Sequence, residues 1–162
     1  MVLPEVIAVE NPGPEHHDEI LRLLLKFNTS KVGPTILEPL AVTLRHPESD
    51  AILGGLWGES YYDWLFIELL IVPDKFRKRG MGSSLMKKAE EIAVGRGCVG
   101  IRVDTFSFQA PGFYEKLGYR SFGKLVNQPI GYERIYYFKT LSKEPVSEVK
   151  GPIVISLPRE KE

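Results

Sequence analysis

The positions of apolar residues predict a chain of alternating strands and helices. Strands are predicted where apolar residues alternate with polar ones or form short unbroken runs, at residues 6–9, 40–44, 51–58, 64–72, 99–105, 120–126 and 132–141. Helices are predicted where apolar residues recur at helical spacing, at residues 15–28, 80–96 and 111–117. Because strands and helices alternate in the middle of the chain and a hairpin follows, the sequence predicts a mixed α/β sheet flanked by helices.

The strand predicted at residues 64–72 contains a single charged residue, Glu68. The rest of the run is apolar, which is typical of a central strand buried on both faces. A carboxylate there costs free energy unless it is paired, hydrated at a cleft or protonated. Strand parity places Glu68 on one face with Phe66, Leu70 and Val72. Glu68 is therefore a candidate functional residue, and the alternative is a structural carboxylate paired with an arginine.

A basic loop with two glycines joins this strand to the helix predicted at 80–96. Arg77, Lys78 and Arg79 precede Gly80 and Gly82. The first turn of a helix has unpaired N–H groups and partial positive charge, and glycine allows a ligand to approach them closely. The loop therefore predicts an anion site suited to a pyrophosphate. The alternative is a basic surface loop, and neither the Walker A nor the dinucleotide-binding pattern is present.

Composition and charge narrow the class of protein. The chain has 162 residues, 43% apolar and 26% charged, which is typical of one soluble domain. Lys plus Arg and Asp plus Glu number 21 each, so neither a nucleic-acid partner nor a membrane partner is favoured. Cys98 is the only cysteine, and no metal site is predicted. No stretch resembles a signal peptide, so we expect a cytoplasmic protein.

The composition changes after residue 141, where polar residues and proline dominate. We therefore predict one domain at residues 1–141 and a C-terminal tail at residues 142–162. Ile153, Ile155 and Leu157 alternate within the tail, which is compatible with a strand added to a sheet edge or to a partner. A mobile terminus is the alternative, and the sequence leaves both open.

Two segments resemble the signature of the GNAT superfamily of N-acetyltransferases. The first is Arg77-x-x-Gly80-x-Gly82, which follows a predicted strand and begins a predicted helix. The second is Gly-Phe-Tyr-Glu-Lys-Leu-Gly-Tyr at residues 112–119, a short helix that contains a tyrosine and ends in a Leu-Gly-Tyr turn. The resemblance extends over about residues 6–141 and is strongest at residues 65–122.

The resemblance implies a mostly antiparallel sheet that splays between strands 64–72 and 99–105, with acetyl-CoA as cosubstrate in the gap. The pantetheine would pair with the strand backbone, the pyrophosphate would bind the N–H groups of the loop, and the amine would enter from the other side. The implied acetyl-CoA-binding residues are Leu70, Ile71, Val72, Arg77, Lys78, Arg79, Gly80, Met81, Gly82, Ser83 and Ser107. Ser107 replaces an asparagine common in the family, and its side chain is shorter. A homodimer is a family expectation.

Acetyl transfer to an amine requires a base for the ammonium proton and an acid for the departing thiolate. The resemblance implies that Glu68 is the base, directly or through water, and that Tyr114 is the acid. A packed core tyrosine is the alternative for Tyr114. Asp104 either faces the amine or caps a turn. The aromatic candidates for the acceptor pocket are Trp57, Tyr61, Tyr62 and Tyr137.

The predicted function is transfer of an acetyl group from acetyl-CoA to a primary amine of a small molecule, by direct attack in a ternary complex. One alternative is acetylation of a protein N-terminus or lysine. The other is a non-catalytic acyl-CoA-binding sensor, which would keep the loop at 77–82 and lose the acid and base. The presence of both Glu68 and Tyr114 favours the enzyme.

Overall fold

The computed structural model describes residues 3–141. Within this range the helices are α1 (Pro14–Val32), α2 (Met81–Gly95) and α3 (Pro111–Lys116), and a 3-10 turn spans Asp74–Phe76. The strands are β1 (Glu38–Arg45), β2 (Ile52–Tyr61), β3 (Trp64–Ile71), β4 (Gly100–Phe106), β5 (Arg120–Val126) and β6 (Glu133–Thr140). The predicted helices and the predicted strands after the first are present at or near the expected positions. The predicted tail at 142–162 lies outside the described residues.

Residues 6–9 do not form the predicted first strand. They have no regular secondary structure, and the side chains of Val6, Ile7 and Val9 are exposed. A short apolar run has no period that would identify a strand, and an isolated strand is not stable without neighbours. The segment pairs with none of the strands of the sheet, so this prediction is wrong.

The chain divides after Glu38 into two units. The N-terminal unit contains α1, in which Pro14 occupies the first turn, where its missing N–H costs nothing. The N–H of Gly13 donates to Nδ1 of His16 over 3.2 Å. The helix ends at Gly33, whose φ of 85° is accessible to glycine. The sheet and the other two described helices belong to the second unit.

The sheet has the strand order β1-β2-β3-β4-β6-β5. The pairs β2–β3, β4–β6 and β5–β6 are antiparallel, and β3–β4 is parallel. A parallel pair requires a long crossover connection, and this one contains α2. The mixed, mostly antiparallel sheet flanked by helices confirms the predicted fold class.

Helix α2 packs against β2, β3 and β4. Its buried residues recur at helical spacing and are Leu85, Met86, Ala89 and Ala93. Ile92 is partly buried against the same core. The strand residues of the same core include Leu65, Ile67, Ile101 and Val103. The packing of α2 on the sheet fixes where the helix begins, and its first turn lies beside the end of β3.

A β-bulge at Glu68 divides β3 into two halves. Ile67 pairs with Gly58 and Leu69 pairs with Trp57, so Glu68 has no partner residue on β2. An extra residue in one strand leaves that residue unpaired and bends the strand. The bulge therefore sets Glu68 apart from the regular ladder.

The bulge also reverses which residues of β3 face the core. Before it, Ile67 is buried, whereas after it Leu70 and Val72 pack against the core. A one-residue slip moves side chains to the opposite face of a sheet. The predicted common face for Phe66, Glu68, Leu70 and Val72 is therefore wrong. Glu68 is exposed, so the predicted burial of the whole strand on both faces is also wrong.

Candidate active site

Strands β3 and β4 separate at the bulge. Their last paired residues are Ile67 and Val103, and two cavities lie beyond that point. The inner cavity, about 280 Å³, is lined by residues 67–71 with Val103, Asp104, Gln109 and Tyr114. The outer cavity, about 670 Å³, extends from Leu70, Ile71 and Val72 to the basic loop and α3. Leu70, Ile71, Gln109 and Tyr114 line both cavities, so the two adjoin.

The basic loop and the start of α2 form one wall of the outer cavity, which includes Arg77, Lys78, Gly80, Met81, Gly82 and Ser83. Lys78 and Gly80 have left-handed φ values of 58° and 80°, and such turns direct successive N–H groups into an anion-binding concavity. The N–H of Ser84 donates to the carbonyl of Gly80 over 2.9 Å. The N–H groups before it, at the start of α2, have no acceptor in the preceding helical turn, so the geometry suits an anion.

Arg77 holds the shape of this loop. Its Nε donates to the carbonyl of Val72 over 3.0 Å, and its guanidinium pairs with Asp74 at 2.9 Å. These contacts join the end of β3 to the 3-10 turn. Arg77 is therefore engaged within the protein, whereas Lys78 lines the outer cavity and forms no ion pair with another residue of the range 3–141. Arg79 lines neither cavity.

Gly82 lies against the aromatic ring of Phe113. A Cβ atom at Gly82 would be 3.1 Å and 3.2 Å from two ring carbons of Phe113. These distances are tighter than ordinary van der Waals contact, so a side chain at Gly82 would displace the ring. The ring of Phe113 meets that of Tyr114 edge-on at 5.1 Å. Gly82 therefore allows α2 to approach α3 and also keeps the anion site open.

Tyr114 lines both cavities. The residue is only 5% exposed, and its ring is stacked on that of Tyr137 with centroids 5.9 Å apart. The phenol has no hydrogen-bond partner among residues 3–141. Burial, followed by the charge of Asp104, raises the pKa of Tyr114 to about 12. At neutral pH this group is therefore protonated and can donate a proton.

Glu68, the bulged residue, lines the inner cavity. The residue is exposed and forms no ion pair with any described residue. Glu68 is therefore not a structural carboxylate paired with an arginine, which was the alternative for this residue. Asp104 is such a carboxylate. It lines the same cavity, and its Oδ2 accepts a hydrogen bond from Nε of Arg134 over 2.5 Å.

Ser107 is held away from the cavities. Its Oγ accepts from the N–H of Glu133 over 3.1 Å, its own N–H donates to the Glu133 carbonyl over 2.8 Å, and it lines neither cavity. Gln109, which sequence reasoning missed, lines both. Its Oε1 accepts from Oγ1 of Thr105 and from the N–H of Phe106, each over 2.9 Å. These bonds leave the amide nitrogen of Gln109 as the free donor. The sequence offered one sign of this role, because Gln109 follows Ser107 by two residues and has the longer polar side chain.

Lys116 is a second cavity residue that sequence reasoning missed. It occupies the last turn of α3 and lines the outer cavity. A lysine at the end of a short helix carries no distinctive pattern in the sequence, so only the fold shows that it lines the same cavity as Lys78. Phosphate groups in this cavity would therefore be near cations from two distant segments.

The four aromatic residues predicted for the acceptor pocket line neither cavity. Tyr137 is a core residue, 1% exposed, and its hydroxyl donates to Glu115 over 3.0 Å. The hydroxyl of Tyr61 accepts from Arg102 over 2.8 Å. Tyr137 is therefore part of the packing of the core and not of an acceptor pocket.

Residues 3–141 contain no cluster of three or more histidine, cysteine, aspartate or glutamate side chains arranged to hold a metal ion. None of the helices in the same range has the length and apolar character that a membrane span requires.

The fold and the gap between β3 and β4 define an acyltransferase of the GNAT type, and comparison with known proteins establishes the family. The model of the acetyltransferase (GNAT) family matches residues 9–119. The chain therefore belongs to that family and is an acetyl-CoA-dependent acyltransferase.

Individual relatives support the same class. An acetyltransferase of Agrobacterium fabrum is 34% identical over 102 residues, which cover 63% of this chain and 74% of that protein. Blasticidin-S acetyltransferase of Streptomyces morookaense is 41% identical over 85 residues, 52% of this chain and 62% of that protein. The crystal structure of an acetyltransferase from Bacillus cereus superposes with a TM-score of 0.74 at 33% identity, covering 83% of this chain and 98% of that one.

Proposed function

We propose that this protein transfers the acetyl group of acetyl-CoA to a primary amine of a small molecule, by direct attack of the amine in a ternary complex. The observation that carries the proposal is the position of Tyr114, a buried residue that lines both cavities and whose hydroxyl has no hydrogen-bond partner among residues 3–141. A proton donor placed where an anion-binding cavity meets a carboxylate-containing cavity suits a reaction that needs both an acid and a base. The homodimer and the cytoplasmic location stay predictions.

The outer cavity suits the acyl donor. Its pyrophosphate fits the N–H groups at the start of α2, with Lys78 and Lys116 nearby. The pantetheine fits along Leu70, Ile71 and Val72, where β3 has no strand on its β4 side. Gln109 supplies an amide donor at the junction of the cavities, in the region where the sequence predicted a contact from Ser107. With the donor bound in this way, we propose that the thioester lies beside Tyr114.

The inner cavity suits the amine. Glu68 accepts a proton from the ammonium form, directly or through water, and the neutral nitrogen attacks the carbonyl carbon of the thioester. The C–N bond forms and the C–S bond breaks. The departing sulfur takes the proton of the Tyr114 hydroxyl and leaves as the thiol. Glu68 and the acetylated nitrogen then release their extra protons to solvent, and Tyr114 recovers its proton from solvent.

A small acceptor is supported by the volume of the inner cavity, about 280 Å³, since a peptide acceptor requires an extended groove. The relationship to blasticidin-S acetyltransferase, whose name specifies a small-molecule acceptor, supports the same choice. The test is a panel of small primary amines and of peptides with free N-termini or lysines, assayed with acetyl-CoA for release of the thiol. We expect release with small amines. Turnover of peptides alone would contradict the small-molecule acceptor, and calorimetric binding of CoA without turnover would support a sensor.

Replacing Glu68 with glutamine is expected to lower kcat/KM at neutral pH about 100-fold, because an amide cannot accept the ammonium proton. The substitution is nearly isosteric at an exposed residue, so the melting temperature should not change. The measurement is kcat/KM at neutral pH for the best amine of the panel, with acetyl-CoA at saturation. A wild-type kcat/KM in Glu68→Gln would remove Glu68 as the base.

A further inference from the structure

The charged side chains that line the inner cavity are both acidic. Glu68 extends from the bulge of β3, and Asp104 lies across from it on β4. The other polar side chains of the lining are Gln109 and Tyr114, and no described lysine or arginine contributes to it. Two carboxylate side chains therefore line the cavity proposed for the amine.

Asp104 is well placed to act on a substrate through its charge. Its side chain is 13% exposed, and one carboxylate oxygen, Oδ2, accepts from Nε of Arg134. The other oxygen, Oδ1, accepts no hydrogen bond from the part of the chain that the structure describes. Arg134 does not line the cavity. Its guanidinium lies over the rings of Phe106 and Tyr136, 5.4 Å and 5.8 Å from their centroids.

Tyr114 is a further polar residue of the same lining. The residue is 5% exposed, and its hydroxyl forms no hydrogen bond with residues 3–141. Because polar groups in such surroundings are normally paired, this hydroxyl is available to water or to a bound molecule. Asp104 and Tyr114 line one space, so an acceptor held there lies near both side chains.

We propose that Asp104 selects acceptors that carry a second cationic group, an ammonium or guanidinium, in addition to the amine that is acetylated. This inference rests on the proposed function. The free oxygen of Asp104 binds the second cation while Glu68 serves the reacting nitrogen. Arg134 holds the carboxylate in place and competes with the substrate for its charge. The preferred acceptors are therefore small dibasic molecules that fit the inner cavity.

The test compares acceptors of equal length that differ in one group. The probes are 1,3-diaminopropane, 1,4-diaminobutane and 1,5-diaminopentane, each paired with the amino alcohol that has a hydroxyl in place of one amine. A charge-assisted hydrogen bond favours the diamine, and we expect its kcat/KM to exceed that of the matched alcohol about 10- to 100-fold for at least one length. We define the selectivity ratio as kcat/KM of the diamine divided by kcat/KM of the matched amino alcohol. An effect on the chemical step that both acceptors share cancels in this ratio.

Two variants at this ion pair are expected to change the selectivity ratio in opposite directions. Asp104→Asn should bring it close to one, mainly by raising the KM for the diamine. Arg134→Gln should raise it, because the carboxylate loses its competing cation. A purely structural ion pair would make both variants less active toward both acceptors and leave the ratio unchanged, and that result would overturn the inference. If Asp104→Asn does not fold, the wild-type ratio and Arg134→Gln still decide the question.

The outcomes separate this inference from the proposed function. Thiol release from both acceptors of a pair, with a wild-type ratio near one at every length, would overturn selection by Asp104 and leave acetylation of small amines standing. Release from neither acceptor of any pair, together with turnover of peptides alone, would overturn both. The expected result, a high ratio that falls in Asp104→Asn and rises in Arg134→Gln, would support both.

Discussion

Replacing Tyr114 with phenylalanine is expected to lower kcat about 100-fold or more while leaving the KM for acetyl-CoA nearly unchanged. The variant loses only the hydroxyl, which makes no hydrogen bond to any described residue, so the packing of the ring against Tyr137 should persist. A proton donor to the departing sulfur acts in the transition state and not in ground-state binding, and its loss therefore affects kcat. Steady-state kinetics with both substrates varied would measure this effect.

The matched control is Tyr119→Phe. Tyr119 is also buried, 2% exposed, but its hydroxyl donates to Glu90 over 3.0 Å, and Glu90 also binds Lys139 at 2.9 Å. Loss of this hydroxyl should lower the melting temperature and leave kcat within a few-fold of the wild type. Equal losses of kcat in the two variants would show that removing any buried phenol damages the enzyme, and the acid role of Tyr114 would fall.

The pKa of Tyr114 gives the same variant a spectroscopic signature. Because burial raises this pKa to about 12, the difference in tyrosinate absorbance between wild type and Tyr114→Phe should grow near pH 12 and not near pH 10. The raised pKa also stabilises the folded protein with the phenol protonated. That contribution is complete below the unfolded value of about 10 and is lost as the pH rises toward 12. The free energy of unfolding should therefore decline less steeply above pH 10 in the variant.

The fold and the position of the basic loop at the start of α2 could be predicted from the sequence because their signals are local. Amphipathic spacing identified the buried face of α2, and the glycines at 80 and 82 identified the start of that helix beside β3. In these segments the backbone geometry is determined by residues close together in the sequence. The helix that contains Tyr114 could be predicted for the same reason, because the Leu-Gly-Tyr turn marks its end.

The details of the cavities could not be predicted because they depend on register and on contacts between distant segments. No pattern in an apolar run reveals that one residue bulges, so strand parity failed at Glu68. Whether Ser107 or Gln109 faces the gap depends on β6, where Glu133 captures both the N–H and the hydroxyl of Ser107. Asp104 likewise acquires its arginine from a strand thirty residues away along the chain.

Replacing Gly82 with leucine is expected to raise the KM for acetyl-CoA about 100-fold. The new side chain would meet the ring of Phe113, since even a Cβ atom would lie 3.1 Å from it, and the start of α2 would have to move. Displaced N–H groups would lose about two charge-assisted hydrogen bonds to the pyrophosphate, each worth about 1.5–3 kcal/mol, which corresponds to about 100-fold or more in affinity. Kinetics with acetyl-CoA varied and calorimetry with CoA would measure the change.

Two further variants separate the anion site from general damage to α2. Gly95→Leu places the same side chain at the last residue of the same helix, where a Cβ atom meets nothing within 4 Å, and it should leave the KM for acetyl-CoA within a few-fold of the wild type.

The double variant Gly82→Ala/Phe113→Ala removes the ring that a Cβ would displace. Recovery of CoA affinity relative to Gly82→Ala alone would assign the glycine to helix packing, whereas continued weak binding would assign it to the approach of the phosphate. Wild-type affinity in Gly82→Leu would contradict both explanations, because neither the packing of α2 on α3 nor the N–H groups of its first turn could then control binding of the acyl donor.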